Sequence, residues 1–123
     1  MSYMTDRKRA EGHGSARDGT LRHWGMTKSS VALVFLVPAF VFTFGPMLGR
    51  PHAEVVAYFA QPFPAIVAAL TIVVGLVHFK NGIQMVIEDY VHGVLREYTI
   101  ILTTCLCYGA VAAGLFSVAR IAL

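Results

Sequence analysis

Apolar and polar positions along this chain fall into long blocks rather than short alternating periods. Three apolar blocks, at about 29–48, 65–90 and 98–119, are separated by polar or proline-containing stretches. A helix rises ~1.5 Å per residue, so about 20 apolar residues cross the ~30 Å hydrocarbon layer, and each block is long enough. The pattern predicts an all-α membrane protein with three transmembrane helices in an antiparallel up-and-down bundle. Residues 1–27 form a polar N-terminal segment, whose first dozen residues are expected to be disordered, and 28–123 form the membrane domain. Pro38 lies inside the first block, where a kink is expected rather than a break. Gly45, Pro46, Gly49, Arg50 and Pro51 mark its exit. Residues 52–61 predict a short amphipathic surface helix, with Val55, Val56 and Phe59 at helical spacing, that Pro62 and Pro64 stop. The connector 92–97 is short, so the second and third spans should be antiparallel neighbours.

Composition agrees with the blocks and adds an orientation. Of 123 residues, 56% are hydrophobic and 14% charged, too apolar for an ordinary soluble domain. Arg7, Lys8, Arg9, Arg17, Arg22 and Lys28 all precede or edge the first block. That excess predicts a cytoplasmic N-terminus and, after three spans, a C-terminus on the far side, and it does not suggest nucleic-acid binding. No cleavable signal peptide is evident, so the first span is expected to serve as an uncleaved insertion signal. Cys105 and Cys107 are two residues apart in an apolar block and face different directions on a helix, as small hydrophobes do. Phosphate loops, dinucleotide-binding glycine patterns and nucleophile–base pairs are absent. Gly14 to Gly19 is too polar and loosely spaced for a phosphate cradle.

The second block carries the candidate chemistry. His78 interrupts it, and Glu88, Asp89 and Tyr90 end it. Eleven helical steps of ~100° leave about 20° between His78 and Asp89, so they share a face roughly 16 Å apart along the axis. An intramembrane histidine either bonds a neighbouring helix or serves a function. Gly75 and Gly82 lie near the same face and leave room for a flat macrocycle, and histidine is a common axial ligand of haem iron. No other span offers an intramembrane histidine, so a second ligand would come from another chain. Asp89 and Tyr90 are either an ordinary polar helix end or part of a quinone head-group site. There the phenol donates a hydrogen bond to a carbonyl, and the carboxylate orients a partner arginine or relays protons. Lys28, at the inner edge of the first span behind His23 and Trp24, is either a snorkelling anchor or a contact for an anionic group such as a haem propionate. Lys80 and Asn81 are expected to face outward or toward a partner. His13, His52 and His92 are expected at the surface.

Three features together resemble the hydrophobic membrane anchor of succinate dehydrogenase (respiratory complex II), of the smaller-anchor type. They are Gly14-Ser15-Ala16-Arg17-Asp18-Gly19 followed by His23-Trp24 and a basic residue; His78 with Gly82; and Asp89-Tyr90 within Val-Ile-Glu-Asp-Tyr-Val-His-Gly. The likeness runs from about residue 14 to the C-terminus and is alphaproteobacterial in style. It implies that His78 is one axial ligand of haem b, with Gly82 permitting its approach, and that a cytochrome b-type companion anchor supplies the other. It implies that Tyr90 hydrogen-bonds ubiquinone and that Asp89 contacts an arginine of the companion. The family often has arginine where Lys28 stands near the propionates; lysine keeps the charge but loses the bidentate fork.

The expected function is therefore a membrane anchor subunit of succinate:ubiquinone oxidoreductase, non-catalytic alone. It would dock a flavoprotein with FAD and an iron–sulfur subunit on a bacterial inner membrane, with a periplasmic C-terminus. Two rivals remain open: a small transporter or proton relay using His78 and Asp89, and a cofactor-free structural anchor.

Overall fold

The computed structural model describes residues 5–11 and 18–123, and the chain is helical almost throughout. A short helix, α1 (Asp6–Glu11), is followed by α2 (Asp18–Phe44), a single 3-10 turn (Gly45–Met47), α3 (His52–Phe59), α4 (Pro62–Tyr90) and α5 (Val94–Ala122). Three of these helices are long and apolar enough to cross a membrane: Thr20–Met47, Pro62–Tyr90 and Val94–Ala122. In the lipid core a helix satisfies its own backbone groups, which is why three apolar blocks become three uninterrupted rods.

The helices overrun the apolar blocks, most of all at their N-terminal ends. Helix α2 starts inside the segment read as a polar tail, because a helix that leaves the hydrocarbon can continue through the interface on its own hydrogen bonds. Pro38 does not end it. Pro62 and Pro64 end α3 but also open α4, with proline in the first turn, where its missing N–H has no intrahelical partner to lose. The connector between α4 and α5 is only Val91, His92 and Gly93. Gly93 makes the turn at φ +69°, a region that disfavours side chains. Arg96 and Glu97, expected in that connector, belong to the first turn of α5, and the carboxylate suits the positive N-terminal end of the helix. Part of the tail expected to be disordered is likewise helical: Thr5 stands just before α1, and its Oγ1 accepts from the Lys8 amide at 3.3 Å.

Helix α4 is central, and both α2 and α5 make their main contacts with it. On the α4–α5 seam, Gly114 marks a close approach. A methyl group there would stand 2.9 Å from Ile72 Cγ2, so the glycine lets the two backbones approach. Further along the seam, Lys80 Nζ sits 5.6 Å from the Tyr108 ring centroid. Lys80 is thus turned onto α5 rather than outward, its charge facing an aromatic surface. At the other end of the bundle α3 closes against the helix ends, with Phe44 tilted on Phe59 at 6.3 Å between centroids.

Little is buried. Among the described residues the buried apolar side chains are Pro64, Ala65, Val67, Ala68, Ile87 and Cys107, while Cys105 is exposed. Phe35, Phe42, Leu102 and Phe116 are all exposed. This inverted distribution suits a chain surrounded by lipid and by other subunits.

Candidate functional site

The α2–α4 seam is built of three successive rungs, two of them polar. Ser29 Oγ lies 2.9 Å from His78 Nδ1. One turn nearer the N-terminus of α2, Met26 Cε lies 3.7 Å from where a Cβ on Gly82 would stand. Next, Arg22 Nη1 donates to both Glu88 oxygens, at 2.8 and 3.1 Å. Residue numbers fall along α2 as they rise along α4, the signature of an antiparallel pair. Gln84 Nε2 also donates to Glu88 Oε1 at 2.9 Å, across one helical turn. Arg22 is 61% exposed, so its ion pair contributes only about 0.2–1 kcal/mol. It serves register more than stability.

The same seam opens into a groove of about 330 Å³ lined by Leu21, Arg22, Gly25, Met26, Asn81 and Gln84. His23 lines an adjoining opening beside Met85 and Glu88.

Helical phase relative to His78 does not by itself pick the carboxylate that meets α2. Relative to His78, Glu88 lies about 80° to one side and Asp89 about 20° to the other. Glu88 faces α2 and pairs with Arg22, while Asp89 and Tyr90 are exposed, Tyr90 at 79%. Neither has a side-chain hydrogen bond among the described residues. The structure therefore brings His78 and Gly82 together with α2, but leaves Asp89 and Tyr90 turned outward at the helix end. Lys28 is exposed next to Ser29, without an ion pair among the described residues. Residues 12–17, including His13 and the first part of the glycine-flanked motif, lie outside the described residues.

Sequence reasoning treats Arg22 only as an inside charge, Glu88 as a polar helix end, and Ser29 not at all. The four-residue spacing of Gln84 and Glu88 is a usable sign of a polar stripe; nothing in the sequence singles out Ser29.

The surroundings of His78 fit a haem ligand. The ring is half-buried, and its only hydrogen bond among the described residues is through Nδ1, so Nε2 remains for a metal. A Cβ placed on Gly75 would meet nothing within 4 Å, and one on Gly82 would meet only the flexible end of Met26. A flat group can therefore approach the backbone on either side of the imidazole.

Comparison with known proteins gives a consistent answer. Residues 1–116 match the family described as succinate dehydrogenase/fumarate reductase transmembrane subunit. The chain is 42% identical over 123 residues to the succinate dehydrogenase hydrophobic membrane anchor subunit of Paracoccus denitrificans, covering 100% of this chain and 95% of that protein. No solved structure matches the chain.

Proposed function

Because the chain belongs to the succinate dehydrogenase/fumarate reductase transmembrane subunit family, we propose that it anchors a flavoprotein and an iron–sulfur subunit to the bilayer and forms one side of a haem b site and a ubiquinone site. A companion cytochrome b-type anchor completes both. The observation that carries the cofactor reading is His78: an imidazole at the middle of the bundle, held through one nitrogen and free at the other, between two glycines.

Each residue has a part in this reading. Bound haem supplies a one-electron redox centre within the membrane. His78 Nε2 holds the iron, and Gly75 and Gly82 give the ring access. Arg22 and Glu88 hold α2 and α4 in register below that level. Tyr90 donates its phenolic hydrogen to a quinone carbonyl, and Asp89 beside it orients a basic side chain of the companion or passes protons. The exposure of both suits a pocket whose other walls belong to partner subunits. Lys28, exposed beside Ser29, is open to an anionic group such as a propionate, and its role as an interfacial anchor is the simpler one.

The basic N-terminal side puts residues before Thr20 in the cytoplasm of a bacterium. Asp89 and Tyr90 then lie at the cytoplasmic surface, where an iron–sulfur protein delivers electrons. The C-terminus is periplasmic.

The test is a reduced-minus-oxidised visible spectrum of the purified complex, with haem measured against covalently or tightly held flavin. The wild-type complex should give a b-type spectrum. His78→Ala should lose most of that signal while keeping the flavin. A wild-type complex without b-type haem, or an unchanged ratio in His78→Ala, rejects the ligand role.

A further inference from the structure

Ser29 is the one polar partner of His78 among the described residues, and its own hydrogen bonds carry information about the imidazole. Its Oγ lies 2.9 Å from Met26 O and 3.1 Å from Gly25 O, as well as 2.9 Å from His78 Nδ1. A hydroxyl has one hydrogen and two lone pairs. The two backbone carbonyls can only accept, so the Ser29 hydrogen has acceptors waiting on its own helix, in the back-bonded geometry common for helical serine. With the hydrogen turned to α2, the hydroxyl presents a lone pair to the imidazole. Nδ1 must then carry the ring hydrogen and donate it.

The consequence falls on the other nitrogen. A neutral imidazole has one N–H and one lone pair, so a hydrogen on Nδ1 leaves the lone pair on Nε2. The opposite arrangement, with Ser29 donating to Nδ1, puts the hydrogen on Nε2 and abolishes its ability to bind a metal. The geometry points to Ser29 as a positioning residue that fixes His78 as the Nδ1–H tautomer and sets the ring plane for iron. The relay runs from the Met26 carbonyl through the Ser29 hydroxyl to the ring. It also tunes the ligand: an N–H donated to oxygen makes the imidazole a stronger electron donor, which favours ferric over ferrous iron. This inference rests on the haem reading above.

The experiment compares wild-type, Ser29→Ala, Ser29→Thr and Ser29→Cys in the assembled complex. The readouts are the haem-to-flavin ratio, the rate of haem loss to a scavenging apoprotein and the midpoint potential of the haem. Ser29→Ala removes the acceptor, so haem should be held about tenfold or more weakly, with the midpoint potential shifted upward. Ser29→Thr keeps the hydroxyl and should restore both. Ser29→Cys keeps the volume but offers a poor acceptor, so it should shift in the direction of Ser29→Ala, and it stands in if Ser29→Ala does not assemble. A haem-containing wild type with Ser29→Ala unchanged in potential and retention overturns the role of Ser29 alone. So does Ser29→Thr behaving like Ser29→Ala. A wild type lacking haem overturns the ligand reading and this inference together.

Discussion

His78 and Tyr90 differ in how far this chain satisfies them. His78 already has a partner on a neighbouring helix, and the hydrogen bond uses only one ring nitrogen. Bonding a neighbour and serving as a ligand are therefore compatible, although the sequence presents them as alternatives. Tyr90 is 79% exposed and its phenol has no hydrogen bond among the described residues. A phenol in that position costs nothing to leave in water, and its value must come from what it meets in the complex. Under the proposed quinone role, Tyr90→Phe would remove the one hydrogen bond that the phenol donates to the head group and leave the ring in place. Electron transfer from succinate to ubiquinone is expected to fall about tenfold, the equivalent of ~1.4 kcal/mol. Succinate oxidation by a water-soluble acceptor that draws electrons from the soluble subunits should be unchanged. Parallel loss of both activities would mean instead that the complex had not assembled.

At the level of elements, the three long helices and the short α3 were legible because membrane helices announce themselves by length and apolarity. Their ends were not. Arg96 and Glu97 look like a connector but are helical, since charge does not oppose helix formation outside the hydrocarbon. Pro62 and Pro64 look like stops but open α4. The partners across each seam were also illegible, because pairing depends on register between helices and not on either helix alone. Ser29, Arg22 and Gly114 acquire meaning only when the opposite rung is known. The α4–α5 seam offers a direct check. At Gly114 the nearest atom is a branch methyl of Ile72, attached to a stiff Cβ, so it cannot swing away cheaply. Gly114→Val should destabilise the assembled complex by about 1–3 kcal/mol through overpacking, seen as a lower thermal midpoint in detergent. Adding Ile72→Ala should recover most of the loss. An undiminished midpoint in Gly114→Val would show that α5 is not held at that seam.

The whole molecule exposes much of its apolar surface and buries few side chains, so its fold is completed by lipid and by other chains. This explains why both candidate sites are one-sided here. Orientation is expected from charge: with the basic residues concentrated before the first span, the two ends of the chain should lie on opposite sides of the membrane. In a background with Cys105→Ala and Cys107→Ala, Asp6→Cys should react with an impermeant maleimide only in inside-out vesicles, and Leu123→Cys only in spheroplasts. Labelling of both from the same side would reverse or remove one span. Helix α4 runs unbroken from Pro62 to Tyr90 and carries both His78 and the Asp89–Tyr90 pair. With no hinge between them, their spacing and their angular phase are set by one helical repeat. Inserting a single residue between Gly82 and Glu88 would swing the lower pair by ~100° while moving it only ~1.5 Å; four residues would restore its bearing to within ~40° but lengthen the gap by ~6 Å. Direction and distance along α4 are thus separable quantities, and the helix acts as a graduated shaft on which each can be changed almost without the other.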